Sequence, residues 1–135
     1  MTQSKKAANW KRLVNYIIDI VGYLIINLVL GLLIGTIVAI TGNIDFLESD
    51  AFDALSSLLA LVVLFFYYFF FELLFQATPG KLITQTRVIS RQEAPLEAST
   101  IALRTLIRLV PFEPFSFLFG EGWHDKWSNT MVVDK

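Results

Sequence analysis

The stretch at residues 55–76 reads LSSLLALVVLFFYYFFFELLFQ and carries a single charged side chain, Glu72. An apolar run of about 20 residues has the length that a helix needs to cross the hydrocarbon core of a bilayer. A second apolar run lies upstream and is interrupted only by spaced polar residues. The two runs predict transmembrane helices over about 13–40 and 55–77.

The composition agrees with a membrane protein. Hydrophobic residues make up 55% of the 135 residues, which is more than a soluble domain of this size usually carries. The net charge of -1 and the dispersed basic residues give no reason to expect nucleic-acid binding. The chain has no cysteine, so disulfides and thiolate metal sites are excluded.

Charged residues indicate the orientation, because basic residues stand beside the two apolar runs and acidic residues stand between them. The basic ones are Lys5, Lys6, Lys11, Arg12, Lys81, Arg87 and Arg91, and the acidic ones are Asp45, Glu48, Asp50 and Asp53. Basic flanks mark the cytoplasmic side of a span. We therefore expect a multi-pass protein with a disordered cytoplasmic N-terminus at residues 1–9, followed by one membrane domain at residues 10–135.

Five polar residues of the first run, Arg12, Tyr16, Asp19, Tyr23 and Asn27, are spaced by three or four. This spacing places them on one face of a helix, which then cannot face lipid.

Gly31 and Gly35 continue the polar stripe and form a pair of small residues four apart. Such a pair lets another helix approach closely. The partner is either another helix of the same chain or a second copy of the chain.

Two carboxylates inside the predicted spans, Asp19 and Glu72, are candidates for ion or proton binding. Asp19 lies about two turns beyond Arg12, and Glu72 lies about two turns before Pro79. Helix rise then puts both roughly 9 to 10 Å from the inner interface, so we expect them to be neighbours. Two adjacent carboxylates in a medium of low dielectric constant lose their protons in two steps, and one of the two pKa values is raised toward neutral pH. A proton-coupled cation exchanger requires such a raised pKa.

Beyond the second span, residues 81–90 predict a short cytoplasmic strand that pairs near Val88 with residues 131–133, and residues 93–95 predict a turn. Residues 98–119 predict a third helical segment that carries Arg104 and Arg108 on one face. Its charges and prolines favour an amphipathic or re-entrant segment over a third full span. The expected fold is an all-α integral membrane protein with a minor β-ribbon.

Three sequence features occur together. Arg12 and Asp19 open the first span, TPGK and TRVI follow the second, and LRTLIRLVPFEPFSFL leads into WHDKWSNTMVV. This combination resembles the RDD family of small bacterial membrane proteins, and its PFEPFSFL string is similar to Bacteroidetes members. The resemblance implies that Arg12, Asp19 and Asp125 are the family's arginine and aspartates, and that the protein lies in the bacterial cytoplasmic (inner) membrane. RQEAPLEA departs from the usual glycine-containing turn. The family has no single established activity, and ion or small-solute transport is the usual conjecture.

The charged residues of the cytoplasmic half form a predicted network. They are Arg12, Asp19, Glu72, Arg104, Arg108, Glu113 and Asp125. Charges within a membrane normally pair with one another or line a polar cavity. The network is either purely structural or also handles ions, and the partner of Arg12 is either Asp19 or Asp125.

Two functions remain open at this stage. The first is a small oligomeric transporter that exchanges monovalent cations or protons through Asp19 and Glu72. The second is a non-transporting accessory protein that binds and regulates or stabilises another membrane protein through its aromatic face, residues 65–71. An enzyme is not expected, because His124 is the sole histidine and has no cysteine beside it. No cofactor or metal is expected either.

Overall fold

A computed structural model describes residues 5–92 and 94–135. The helices are α1 (Asn9–Thr41), α2 (Asp50–Phe75), α3 (Pro79–Ile83), α4 (Ala98–Arg108) and α5 (Trp123–Trp127), and the strands are β1 (Thr86–Ser90) and β2 (Thr130–Asp134). Two 3-10 helices, Ile44–Glu48 and Glu113–Phe119, connect them. The predicted turn at residues 93–95 includes Glu93, which lies outside the described residues.

The helices α1 and α2 are the two candidate membrane spans. Their most apolar windows have mean hydropathies of 2.6 and 2.4. Their 33 and 26 residues correspond to about 50 Å and 39 Å of helix, more than a hydrocarbon core of about 30 Å requires. Large apolar side chains such as Leu28, Leu32 and Leu74 point outward from them. The two predicted helices are therefore present as candidate spans, and α1 begins earlier than the sequence pattern indicated.

The segment after α2 folds back at once. Gln76 ends the helix in the left-handed conformation, with φ of 52°, and Pro79 then begins α3. Proline suits the first turn of a helix because its missing N–H would have no partner there. Residues 81–83 are consequently helical, and the strand predicted over residues 81–90 is confined to β1.

β1 and β2 form a two-stranded antiparallel sheet in which Val88 is paired with Val132. This pairing confirms the prediction made from the sequence. Lys6 forms an isolated bridge with Val133, and the Ala7 N–H donates to the Val132 carbonyl at 3.0 Å. Residues 5–8, part of the segment predicted to be disordered, are thus held against β2, and residues 1–4 lie outside the described residues.

The segment predicted over residues 98–119 consists of two pieces. α4 has 11 residues, about 16 Å of helix, roughly half the thickness of a hydrocarbon core. It ends near Pro111, whose ring is incompatible with the α conformation of the preceding residue. The 3-10 helix Glu113–Phe119 follows. α4 packs against α2 and α5, and it therefore carries its arginines to Glu72, near the end of α2.

Candidate functional site

A cluster of buried charges lies where the first part of α1, the end of α2, and helices α3, α4 and α5 meet. Its basic members are Arg12, Lys81, Arg104 and Arg108, and its acidic members are Asp19, Glu72, Glu113 and Asp125. We call this set the charge cluster. Buried charges are tolerated only when they are paired and hydrogen-bonded, so the pairings decide what the cluster can do.

Glu72 is the most completely neutralised carboxylate of the charge cluster. It is 0% exposed and accepts hydrogen bonds from Arg104 Nε at 2.9 Å, Lys81 Nζ at 2.7 Å and Arg108 Nη2 at 3.2 Å. Arg104 and Arg108 reach it together because residues four apart lie on one helix face. Lys81 reaches it because the turn at Pro79 folds α3 back toward the end of α2.

Asp125 joins the beginning of α1 to α4. One of its oxygens accepts from Arg104 Nη1 at 2.5 Å, and the other is paired with Arg12 Nη2. The sequence left the partner of Arg12 open between two aspartates, and the structure assigns it to Asp125. Arg104 Nη1 also donates to the Thr130 hydroxyl, so β2 is linked to the same arginine.

Asp19 is bound by neutral donors. The Thr78 hydroxyl donates at 2.6 Å, the Gly80 N–H at 2.9 Å and the Tyr67 hydroxyl at 3.3 Å. Within the part of the chain that the structure describes, no Lys, Arg or His nitrogen lies within 4.0 Å of it. Asp19 and Glu72 therefore have separate sets of hydrogen-bond donors.

Glu113, a predicted member of the charge network, has contacts mainly with His124. It is paired with the Nδ1 atom of His124, and it also accepts from the His124 N–H at 3.3 Å and the Ser116 hydroxyl at 3.5 Å. The backbone at Gly122 lies close to the His124 ring, since a Cβ at Gly122 would lie 2.8 Å from His124 Cε1. His124 is thus a buried partner of Glu113.

Burial shifts the pKa values of two groups that lie outside the candidate spans. Burial lowers the pKa of the Lys81 ammonium to about 8, although Glu72 opposes the shift. Burial also lowers the pKa of the His124 imidazole well below its usual range, and the positive charges of Arg108 and Arg104 act in the same direction. His124 is therefore neutral at physiological pH.

A small cavity of about 40 Å³ borders the charge cluster. Its polar walls include Arg12, Asn15, Tyr16, Asp19, Tyr68, Lys81, Arg108, Glu113 and His124. The Nη1 atom of Arg12 and the Nε atom of Arg108 are buried and have no hydrogen-bond partner among the described residues. Two of the arginines that line the cavity thus have donors with no hydrogen-bond partner among the described residues.

The glycines that allow close contact are not those that the sequence pattern singled out. A Cβ added at Gly31 or Gly35 would meet nothing within 4 Å in the described chain. A Cβ at Gly80 would lie 2.4 Å from the Asn15 carbonyl oxygen, and one at Gly22 would lie 2.8 Å from the Tyr67 hydroxyl. Packing between the chain's own helices therefore does not use Gly31 and Gly35, whose surface is open.

Sequence reasoning missed Lys81, Thr78 and Tyr67 as partners of the two carboxylates. Lys81 was interpreted as an indicator of topology, and Thr78 was noted only within the TPGK string. A signal was present, because a proline two residues before Lys81 predicts that the chain reverses toward the end of the second span.

The model of the RDD family matches residues 6–122. The chain belongs to the RDD family. The resemblance noted in the sequence is thereby confirmed, and two apolar helices long enough to span a membrane agree with it. Asp125 lies beyond the matched stretch of this RDD protein, yet it is the residue that pairs with Arg12. No curated protein and no solved structure gives a match to the chain.

Proposed function

We propose that this RDD protein is a small oligomeric transporter that exchanges a monovalent cation for a proton, with Asp19 as the exchanging carboxylate. The observation that carries the proposal is the environment of Asp19. It is 2% exposed, lies in a candidate span, borders an internal cavity and has only neutral hydrogen-bond donors. An ionisable residue in such a position is by default a candidate for proton or ion handling.

Glu72 is assigned a structural role in this proposal. Three cations already neutralise it, and a bound metal cation would have to displace one of them. Asp19 has no such competitor within 4.0 Å among the described residues. The proposal therefore narrows the exchange site from two carboxylates to one.

Exchange at Asp19 is balanced in charge. A protonated Asp19 and an ionised Asp19 with a bound monovalent cation have the same net charge. The net charge that the rest of the charge cluster faces, four basic and three acidic residues, then does not change when one form replaces the other. Oxygen atoms suit such cations, and the Thr78 hydroxyl stands 2.6 Å from the carboxylate.

The proposal includes an oligomer in the bacterial inner membrane, with a cytoplasmic N-terminus. Two spans are few to enclose a pathway for ions. Further copies of the chain would supply walls, and the open surface at Gly31 and Gly35 offers a place for close helix contact.

The test is cation-dependent dissipation of a pH gradient in proteoliposomes. Sodium, potassium or lithium is added to vesicles that contain the full-length protein, and Asp19→Asn is measured beside Asp53→Asn, which changes an exposed aspartate of α2. We expect flux in the parent protein and in Asp53→Asn, and at least a tenfold loss in folded Asp19→Asn. Absence of flux for all three cations in a monodisperse parent protein would refute the proposal.

A second candidate is a non-transporting accessory protein that binds another membrane protein. The saturation of Glu72 and Asp125 by internal partners supports it, because a purely structural cluster needs no external ion. The exposed Phe66 and Phe70 of α2 offer a contact surface. Under this function, Asp19→Asn would alter stability or partner binding alone, and flux would be absent throughout.

A further inference from the structure

A groove of about 240 Å³ lies between α1 and α2 beside the charge cluster. Ile20, Leu24 and Leu64 supply apolar walls. Because both helices are candidate membrane spans, a groove between them borders hydrocarbon and not water. An acyl chain is the kind of group that fits such walls.

One end of the groove is polar and adjoins the 40 Å³ cavity. The two spaces share Tyr16, Tyr68, Arg108 and Glu113 as lining residues. The combined space is therefore amphipathic, with an apolar part between the spans and a polar part within the charge cluster.

The polar part contains donors that lack partners. Arg12 is 8% exposed, and its Nη1 atom has no hydrogen-bond partner among the described residues. The Nε atom of Arg108 also has no hydrogen-bond partner among the described residues. The Arg108 guanidinium carbon lies 4.4 Å from the centroid of the Tyr68 ring. A buried donor without a partner is costly, and charged donors are the costliest. An anionic acceptor at this position would remove that cost.

Charge and size further restrict the acceptor. The cavity lining has three cations, Arg12, Lys81 and Arg108, against two carboxylates, Asp19 and Glu113. About 40 Å³ holds roughly three waters, which is enough for a carboxylate but not for a glycerophosphate headgroup. Guanidinium and carboxylate groups are also well matched in geometry.

We propose that this amphipathic space binds a single-chain lipophilic carboxylic acid, with its carboxylate at Arg12 and Arg108 and its acyl chain in the groove between α1 and α2. Its polar part is the same cavity that Asp19 borders, but the proposal does not depend on cation exchange and its test requires no flux. Water in the cavity would satisfy the unpaired donors of Arg12 and Arg108, but water would not fill the apolar groove between α1 and α2.

The test uses a palmitic acid that carries a diazirine at mid-chain. The full-length protein is placed in phosphatidylcholine nanodiscs and irradiated with the probe, and the adducts are mapped by peptide mass spectrometry. We expect adducts on the groove walls, near Ile20, Leu24 and Leu64. Excess oleic acid should reduce them at least tenfold, whereas oleyl alcohol, which lacks the charge, should leave them in place.

Two tryptophan variants of α2 make the test independent of the charge cluster. Leu64→Trp fills the groove, and Leu61→Trp places the same side chain at a position that is 52% exposed and outside the groove. We expect the groove adducts to fall at least fivefold in Leu64→Trp and to persist in Leu61→Trp. Arg108→Gln should also lower the yield of groove adducts, but this variant removes a partner of Glu72. The comparison of Leu64→Trp with Leu61→Trp is therefore the deciding measurement.

Three outcomes would overturn the proposal. The first is a spread of adducts over all lipid-facing surfaces, and the second is equal competition by oleyl alcohol. The third is displacement of the probe by phosphatidylglycerol at a lower concentration than oleic acid, which would assign the space to a phospholipid.

Discussion

Glu72 is the residue on which the stability of the charge cluster most depends. Its replacement by alanine leaves Lys81, Arg104 and Arg108 without their shared acceptor. Breaking a buried ion pair by removing one partner costs about 3–5 kcal/mol. We therefore expect Glu72→Ala to lower the thermal unfolding midpoint in detergent by many degrees, and Glu48→Ala, at an exposed position, to leave it nearly unchanged. Equal midpoints for the two variants would contradict the structural role of Glu72.

His124 gives the protein a predicted sensitivity to acid. Its folded-state pKa lies well below the ordinary value of 6.5, because burial disfavours the charged imidazolium. Below pH 6.5 the unfolded chain binds a proton that the folded protein does not, so the free energy of unfolding falls as the pH is lowered. We expect the unfolding midpoint to drop between pH 7.5 and 5.5, and to drop less in His124→Gln. The same decrease in both proteins would assign the acid sensitivity to other groups.

At the level of single residues, the sequence identified most of the charge cluster but not its pairings. Hydropathy and helical spacing placed Asp19 and Glu72 at similar depth. They did not give the rotation of each helix about its axis or the path of the chain after α2. Thr78 and Lys81 reach the two carboxylates only because α3 folds back, and this depends on tertiary structure.

The contact between α1 and α3 depends on Gly80. A Cβ there would lie 2.4 Å from the backbone oxygen of Asn15, and backbone atoms cannot move aside as a flexible side chain can. We expect Gly80→Ala to destabilise the fold by about 2–3 kcal/mol, the upper range for overpacking. Gly31→Ala should be neutral for unfolding of the monomer, since that position faces open space. Comparison of the two unfolding midpoints in detergent checks this, and a destabilised Gly31→Ala monomer would refute it.

The sequence predicted some helices and strands better than others. Length and hydropathy sufficed for α1 and α2, and alternating β-branched residues sufficed for the pairing of β1 with β2. The pattern of small residues at Gly31 and Gly35 indicated that a helix can approach there, but not which one. The single segment predicted over residues 98–119 is divided after Arg108, and the 3-10 conformation of Glu113–Phe119 has no distinct sequence period.

The orientation of the whole molecule is open to a direct test, because the chain has no cysteine of its own. Glu48→Cys lies in the connection between the spans, and Gln92→Cys follows β1; both positions are exposed. A maleimide that cannot cross membranes should label Glu48→Cys in intact spheroplasts and Gln92→Cys only after the membrane is opened. This result is expected because basic residues favour the cytoplasmic side. The reverse labelling would invert the proposed topology.

The pairing of Arg12 with Asp125 has a consequence for how the protein is made. The ribosome synthesises Arg12 before Asp125, and helices α2, α3 and α4 lie between them along the sequence. During synthesis the Arg12 guanidinium has no carboxylate partner until Asp125 is added. The strand β2, which adjoins residues 5–8, is synthesised later still. A translation product that stops before residue 125 has an uncompensated charge at Arg12. The beginning of α1 is therefore neutralised only after synthesis has passed Asp125.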